Sequence, residues 1–148
     1  MVEKIIGVIR DANITRKSGL TQFCDLFFTN EGIVAAITLS KAAKTGFEGW
    51  ASSGGVVGLW LAKRDRERRR RMFEGKTPDE ILHLHRDNFE IQYGDVSSVS
   101  LQKSFLVSWI GFVALVEGEE EELVFRFSSK QFGDVERIIR RVLGNKLE

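Results

Sequence analysis

Two hydrophobic periods organise this chain. Alternation of apolar and polar positions dominates residues 3–39 and 89–127, and a helical period closes the chain at 130–143. IIGVI, at residues 5–9, is apolar and β-branched at every position but Gly7, which predicts a first strand over Glu3–Thr15 buried on both faces. RKSGLTQ, at 16–22, is a turn-rich link. CDLFFTNEGIVAAIT then sets two apolar runs around Thr29-Asn30-Glu31-Gly32, where Asn and Gly tolerate positive φ, and the pattern predicts a hairpin. Farther along, Phe89, Ile91 and Tyr93, then Val99 and Leu101, alternate with polar residues around Gly94-Asp95. Phe105, Val107 and Trp109 continue the alternation, Ile110 to Val116 is uniformly apolar, and Leu123, Phe125 and Phe127 resume it beyond an acidic turn at Gly118. Phe132, Val135, Ile138, Ile139 and Val142 share one face of a predicted helix, with Arg137, Arg140 and Arg141 near its end and Gly144 just past it.

Between residues 40 and 88 the strand rhythm stops. Lys41 to Ser53 follows neither period and carries Phe47 and Trp50 among small residues. Gly54 to Gly75 is rich in helix formers from Leu59 onward, enough for four or five turns. Thr77-Pro78-Asp79-Glu80 is a capping box with Pro at the first helical position, starting a short helix with Ile81, Leu82 and Leu84. The expected architecture is therefore one α+β domain over 1–148, with a helical insertion at about 40–88 between an N-terminal hairpin and the later strands.

Composition is that of a globular protein, with 43% hydrophobic and 29% charged residues and a net charge of +1. The charge is unevenly placed. Lys63 to Arg71 (KRDRERRRR) carries seven bases and two acids, so the rest of the chain sums to −4, and Glu117 with Glu119 to Glu122 forms an acidic cluster. Attraction to a polyanion must come from a local patch. The one cysteine, Cys24, sits in a predicted strand and reads as a small hydrophobe rather than a reactive thiol. The N-terminus lacks the length and cleavage site of a secretory signal, which makes the cytoplasm, or the cytoplasmic face of a membrane, the expected location.

Three stretches resemble the pleckstrin-homology (PH) superfold and, within it, the GRAM-like and bacterial or archaeal PH-like families. LFFTNEGIVAA is similar to the strand–Thr–turn–strand hairpin of GRAM-like domains. FEIQYGDVSSVSL is similar to their aromatic–x–Asp–aliphatic–x–x–Val segment, with Tyr93, Asp95, Val96 and Val99 in those places. The helix at 130–143 resembles the family's capping helix. The resemblance implies a strongly bent antiparallel β-barrel or sandwich capped by a C-terminal helix, and residues 40–88 have no counterpart in it. PH families often bind phosphoinositide headgroups through basic residues around the first two strands, and the matching positions here are Arg16 and Lys17, with Arg10 near them.

The arginine run is the main candidate for function. Lys63, Arg64, Arg66, Arg68, Arg69, Arg70 and Arg71, with Trp60 just before them, form a candidate anion- or partner-binding element. On a helix, Asp65–Arg69 and Glu67–Arg71 are favourable pairs, but two acids cannot neutralise seven bases. Unpaired guanidinium groups are too costly to bury, so the segment is expected to face solvent, an acidic surface or a polyanion. The preceding Gly54–Ala62 would span only about 14 Å as a helix, too short for a hydrocarbon core of ~30 Å. It suits packing within the protein, self-association, or an interfacial contact with Trp50 and Trp60 at headgroup level. A protein partner or a second copy is the first expectation, an anionic membrane the alternative, and nucleic acid the weakest of the three.

Catalysis finds little support. HExxH, Walker and Gly-x-Ser-x-Gly motifs are absent, and Gly54-Gly55-x-x-Gly58 lacks dinucleotide-site spacing. His83 and His85, two apart on a predicted helix, would point about 200° from each other and could not share a metal. No cofactor is implied, and the acidic cluster reads as a solvated turn.

Overall fold

A computed structural model of the chain describes residues 4–15, 20–42, 64 and 66–148. Seven strands run in chain order: β1 (Ile5–Thr15), β2 (Leu20–Thr29), β3 (Gly32–Ala42), β4 (Phe89–Gln92), β5 (Val96–Gln102), β6 (Val107–Val116) and β7 (Glu119–Ser128). They form one antiparallel sheet in the order β4-β3-β2-β1-β7-β6-β5. The helices are a helical stretch at 66–71, α1 (Pro78–Leu82) and α2 (Phe132–Leu143).

Successive antiparallel hairpins explain most of this order, and the β1–β7 pair joins the two ends of the meander through Asn13↔Arg126 and Ile14↔Phe125. The sheet curls until Phe89 on β4 stacks on Phe125 of β7, ring centroids 6.4 Å apart. It does not close. β4 and β5 share no ladder, so the barrel expected from the sequence is an open sheet. Its inner face carries Leu26, Phe28, Ile33, Ile110, Phe112 and Phe125, and α2 adds Val135, Ile139 and Leu143 to the same core. The helix sits close to β1: a Cβ on Gly7 would lie 2.5 Å from Ile138 Cδ1.

Turn chemistry departs from expectation in an instructive way. Neither Asn30 nor Gly32 takes positive φ. The Thr29 hydroxyl holds the β2–β3 turn instead, accepting from the N–H groups of Glu31 (3.1 Å) and Gly32 (3.0 Å). Gly32 is needed for space, because a Cβ there would lie 2.5 Å from the Ile91 carbonyl oxygen across the β3–β4 ladder. The β6–β7 turn does use the left-handed region, at Glu117 (φ 53°) and Gly118 (φ 83°), as a two-residue hairpin of the I′ type requires.

The insertion starts later than its pattern suggested and ends where expected, although its short helix stops early. β3 continues to Ala42, α1 stops at Leu82 rather than including Leu84, and β4 begins at Phe89. The capping box at Thr77–Glu80 is formed as predicted. Residues 66–82 cover the outer face of β2 and β3, where Phe73 and Ile81 pack on Phe27, Val34 and Ala36 in a second apolar cluster. Phe27 and Phe73 meet edge to face at 5.7 Å. Asn88 ties the end of the insertion to the sheet, accepting from Ile37 N–H (2.7 Å) and donating to the Ile81 carbonyl (2.8 Å).

Gly32→Ala is expected to destabilise the protein by about 1–3 kcal/mol, because a backbone carbonyl cannot yield to the new methyl. Gly94→Ala, which meets nothing within 4 Å, should be neutral or slightly stabilising. Urea denaturation of both variants checks the difference.

Candidate functional site

The arginine helix lies on the sheet rather than away from it. β2 carries Asp25 among apolar neighbours, and strand alternation turns its carboxylate to the outer face, beneath residues 66–71. That side chain is 1% exposed. Arg70 reaches it in a fork, with Nε 2.7 Å from Oδ2 and Nη2 2.9 Å from Oδ1. Nη2 also donates to the Asp11 carboxylate at 2.6 Å. The Arg70 side chain keeps 18% of its surface exposed. Held between two carboxylates, its guanidinium has its pKa pushed above the ordinary value, chiefly by the Asp25 hydrogen bond.

A β-bulge completes this cage. The β1–β2 register shifts between Ile9 and Ala12, and Asp11 takes φ 56°, a conformation that Asp tolerates better than most residues. The bulge turns the Asp11 N–H onto Asp25 Oδ1 at 3.1 Å. On its other side, Gln131 accepts from Arg10 N–H (3.1 Å) and donates to the Arg10 carbonyl (2.8 Å). Both partners are side chains, standing in for the strand pairing that a bulge interrupts.

The remaining bases divide by position. Arg66 lies over the Phe23 ring, 4.8 Å from its centroid, with its Nε buried and without a hydrogen-bond partner. Arg69 is half-buried, while Arg64, Arg68 and Arg71 are exposed. Among the described residues no ion pair joins Glu67 and Arg71, so that expected helix pair does not form. Arg70 corrects the expectation that the whole run faces outward: its charge is spent within the fold. Lys63, Trp60, Trp50, Arg16 and Lys17, and the apolar run 54–62, lie outside the described residues.

Neither family models nor curated proteins give a match.

Among the described residues no group of three His, Cys, Asp or Glu side chains could hold a metal ion, and no helix is long and apolar enough to cross a membrane. The histidines do not share a helix, since α1 ends before both. His83 Nδ1 lies 2.7 Å from the Asp79 carbonyl, and His85 Nδ1 accepts from Asp87 N–H at 3.0 Å. Cys24 is fully buried, and burial and then Asp25 push its thiol pKa up, which keeps it protonated.

Two features escaped the pattern reading. Asp25 was visible as an acid inside an apolar strand, CDLFF, a placement that demands a cation. Phe105 was assigned to strand alternation, yet β6 begins at Val107, and Phe105 and Leu106 stand in the β5–β6 loop, 90% and 71% exposed.

Arg70→Ala, which strands the Asp25 carboxylate under the helix, is expected to cost about 3–5 kcal/mol. Asp25→Ala should cost less, about 1–3 kcal/mol, because Arg70 can still reach water. In the double variant the loss should approach that of Asp25→Ala alone; additive losses in denaturant melts would show that the two groups are not coupled.

A pH dependence follows from His85. Burial, and then the charge of Arg69, hold its pKa below the ordinary 6.5. The unfolded chain therefore binds the proton first, and stability present above about pH 6.5 declines as pH falls. His85→Gln should flatten that decline, as read by urea melts at neutral and mildly acidic pH.

Proposed function

We propose that this protein is a non-catalytic, PH-like binding module that engages acidic protein surfaces through its arginine helix. The PH-like reading is supported by the seven-strand antiparallel order and by a C-terminal helix packed on the curled sheet. The binding reading is carried by one observation: Arg70, locked to Asp25 and Asp11, fixes a helix from which Arg68 and Arg71 project into solvent. A presented guanidinium fork suits carboxylates, and a rigid platform lowers the entropy lost on binding.

The chain carries one such acidic surface itself. Glu119, Glu120 and Glu122 are exposed around the β6–β7 turn, and β6–β7 pairing holds that turn in shape. A second copy could therefore dock its acidic turn on the arginine helix, a head-to-tail contact between unlike surfaces.

Sedimentation velocity at low salt should show reversible self-association that weakens as salt rises. Arg68→Glu/Arg71→Glu should abolish it, as should Glu119→Lys/Glu120→Lys, while mixing the two variants should restore a heterocomplex. Arg70 is left intact in this design, because reversing it would unfold the platform. A polyglutamate peptide serves as the general acidic probe. If neither self-association nor salt-sensitive peptide binding is seen, the proposal fails.

A further inference from the structure

The β5–β6 loop presents the most exposed apolar side chains among the described residues. Phe105 is 90% exposed, Leu106 71% and Val107 42%. Two consecutive apolar residues on the loop tip, continued by Val107 at the start of β6, form a wedge rather than scattered surface hydrophobes. A mobile tip would gain little from this arrangement, but here the loop is latched. Ser129 Oγ donates to the Ser104 carbonyl (2.7 Å) and lies 2.8 Å from Ser108 Oγ, and Ser129 N–H donates to the Leu106 carbonyl at 3.0 Å. Side-chain and backbone bonds from Ser129, just past β7, thus hold the loop on both sides of Phe105.

Charge identifies what the wedge meets. Segments 101–108 and 126–133, which build this end of the ribbon, contain Lys103, Arg126 and Lys130 and no acid. Lys103 and Lys130 are exposed beside the latch, Lys103 lying over the Phe132 ring at 5.7 Å. The acidic turn stands at the far end of the same hairpin, the length of ten-residue β6 away, about 30 Å at the usual strand rise. One end is therefore apolar and basic, the other acidic. A symmetric contact of two tips would oppose lysine to lysine. A convex wedge rimmed by cations suits a surface that is soft, apolar beneath and anionic on top. We infer that the β5–β6 tip is an interfacial anchor, inserting Phe105 and Leu106 below the headgroups of an anionic phospholipid bilayer while Lys103 and Lys130 meet the phosphates. This inference does not rest on the arginine helix.

The test uses the full chain and phosphatidylcholine vesicles with and without phosphatidylserine. The protein should sediment with the anionic vesicles at low salt and much less with the neutral ones. Phe105→Ser/Leu106→Ser removes only exposed side chains and should lower partitioning by about tenfold or more, with melting temperature unchanged. Lys103→Glu/Lys130→Glu should remove the preference for anionic lipid. A dye attached at Ser104→Cys should shift to the blue on binding; Cys24, buried and protonated, does not compete for the label. Arg68→Glu/Arg71→Glu should sediment like the parent protein. The inference is overturned if anionic vesicles leave the protein in the supernatant. Lipid binding that follows the arginines and ignores the serine changes overturns it equally, as does loss of self-association without vesicles in the tip variant.

Discussion

A carboxylate on the outer face of a strand, closed off from water, cannot stay charged without a cation held against it. Asp25 is that carboxylate, and the fold answers it with Arg70 from a segment 45 residues away in sequence. Much else follows from the answer. The arginine must arrive on a rigid element, which places residues 66–71 over β2. Its neighbour Phe73 then falls onto Phe27, and α1 brings Ile81 to the same cluster. The bulge in β1 contributes a second carboxylate and an N–H to the cage. The Arg70 ion pairs, with the Asn88 hydrogen bonds at the far end, thus fix the register between the insertion and the sheet more sharply than apolar packing would.

The two halves of the sheet consequently live in different surroundings. β2 and β3 are buried on both faces, inwardly by the main core and outwardly by the insertion. The outer face of β6 and β7 keeps Val107, Leu115 and Val124 in contact with water. The first half is a platform for a charged helix. The second is a ribbon whose ends differ in chemistry, glutamates at one turn and an apolar, lysine-rimmed tip at the other. The proposed binding surfaces sit at the margins of a well-packed scaffold.

Local signals were the legible ones. The capping box at Thr77, the amphipathic face of α2 and the β2–β3 hairpin each depend on residues a few positions apart, and each formed. The α+β class and the C-terminal helix could also be read. Contacts that join distant parts could not. Nothing near Arg70 in sequence distinguishes it from Arg68 or Arg71; only strand alternation at Asp25 combined with helix phase at Arg70 selects the pair. Asn30 and Gly32 suggested a positive-φ turn, but the Thr29 hydroxyl supplied the closing bonds and made that conformation unnecessary. Closure of the sheet is a property of curvature and register, which hydrophobic periodicity does not encode. Phe105 shows a limit of alternation itself, since an apolar residue one step before a strand looks like its first member.

An open sheet has two edges, and unpaired edges invite strand-on-strand polymerisation. Here neither offers a long template. β4 is four residues, and Leu147 bridges to Val99 at the middle of β5 while Glu148 N–H donates to the Val99 carbonyl at 2.9 Å. The C-terminal residues act as a short guard strand. At β5 the bridge occupies backbone groups that another strand would otherwise use, and at β4 only four residues present an outer edge. The guard therefore shields part of an edge whose unpaired groups would otherwise invite irreversible stacking.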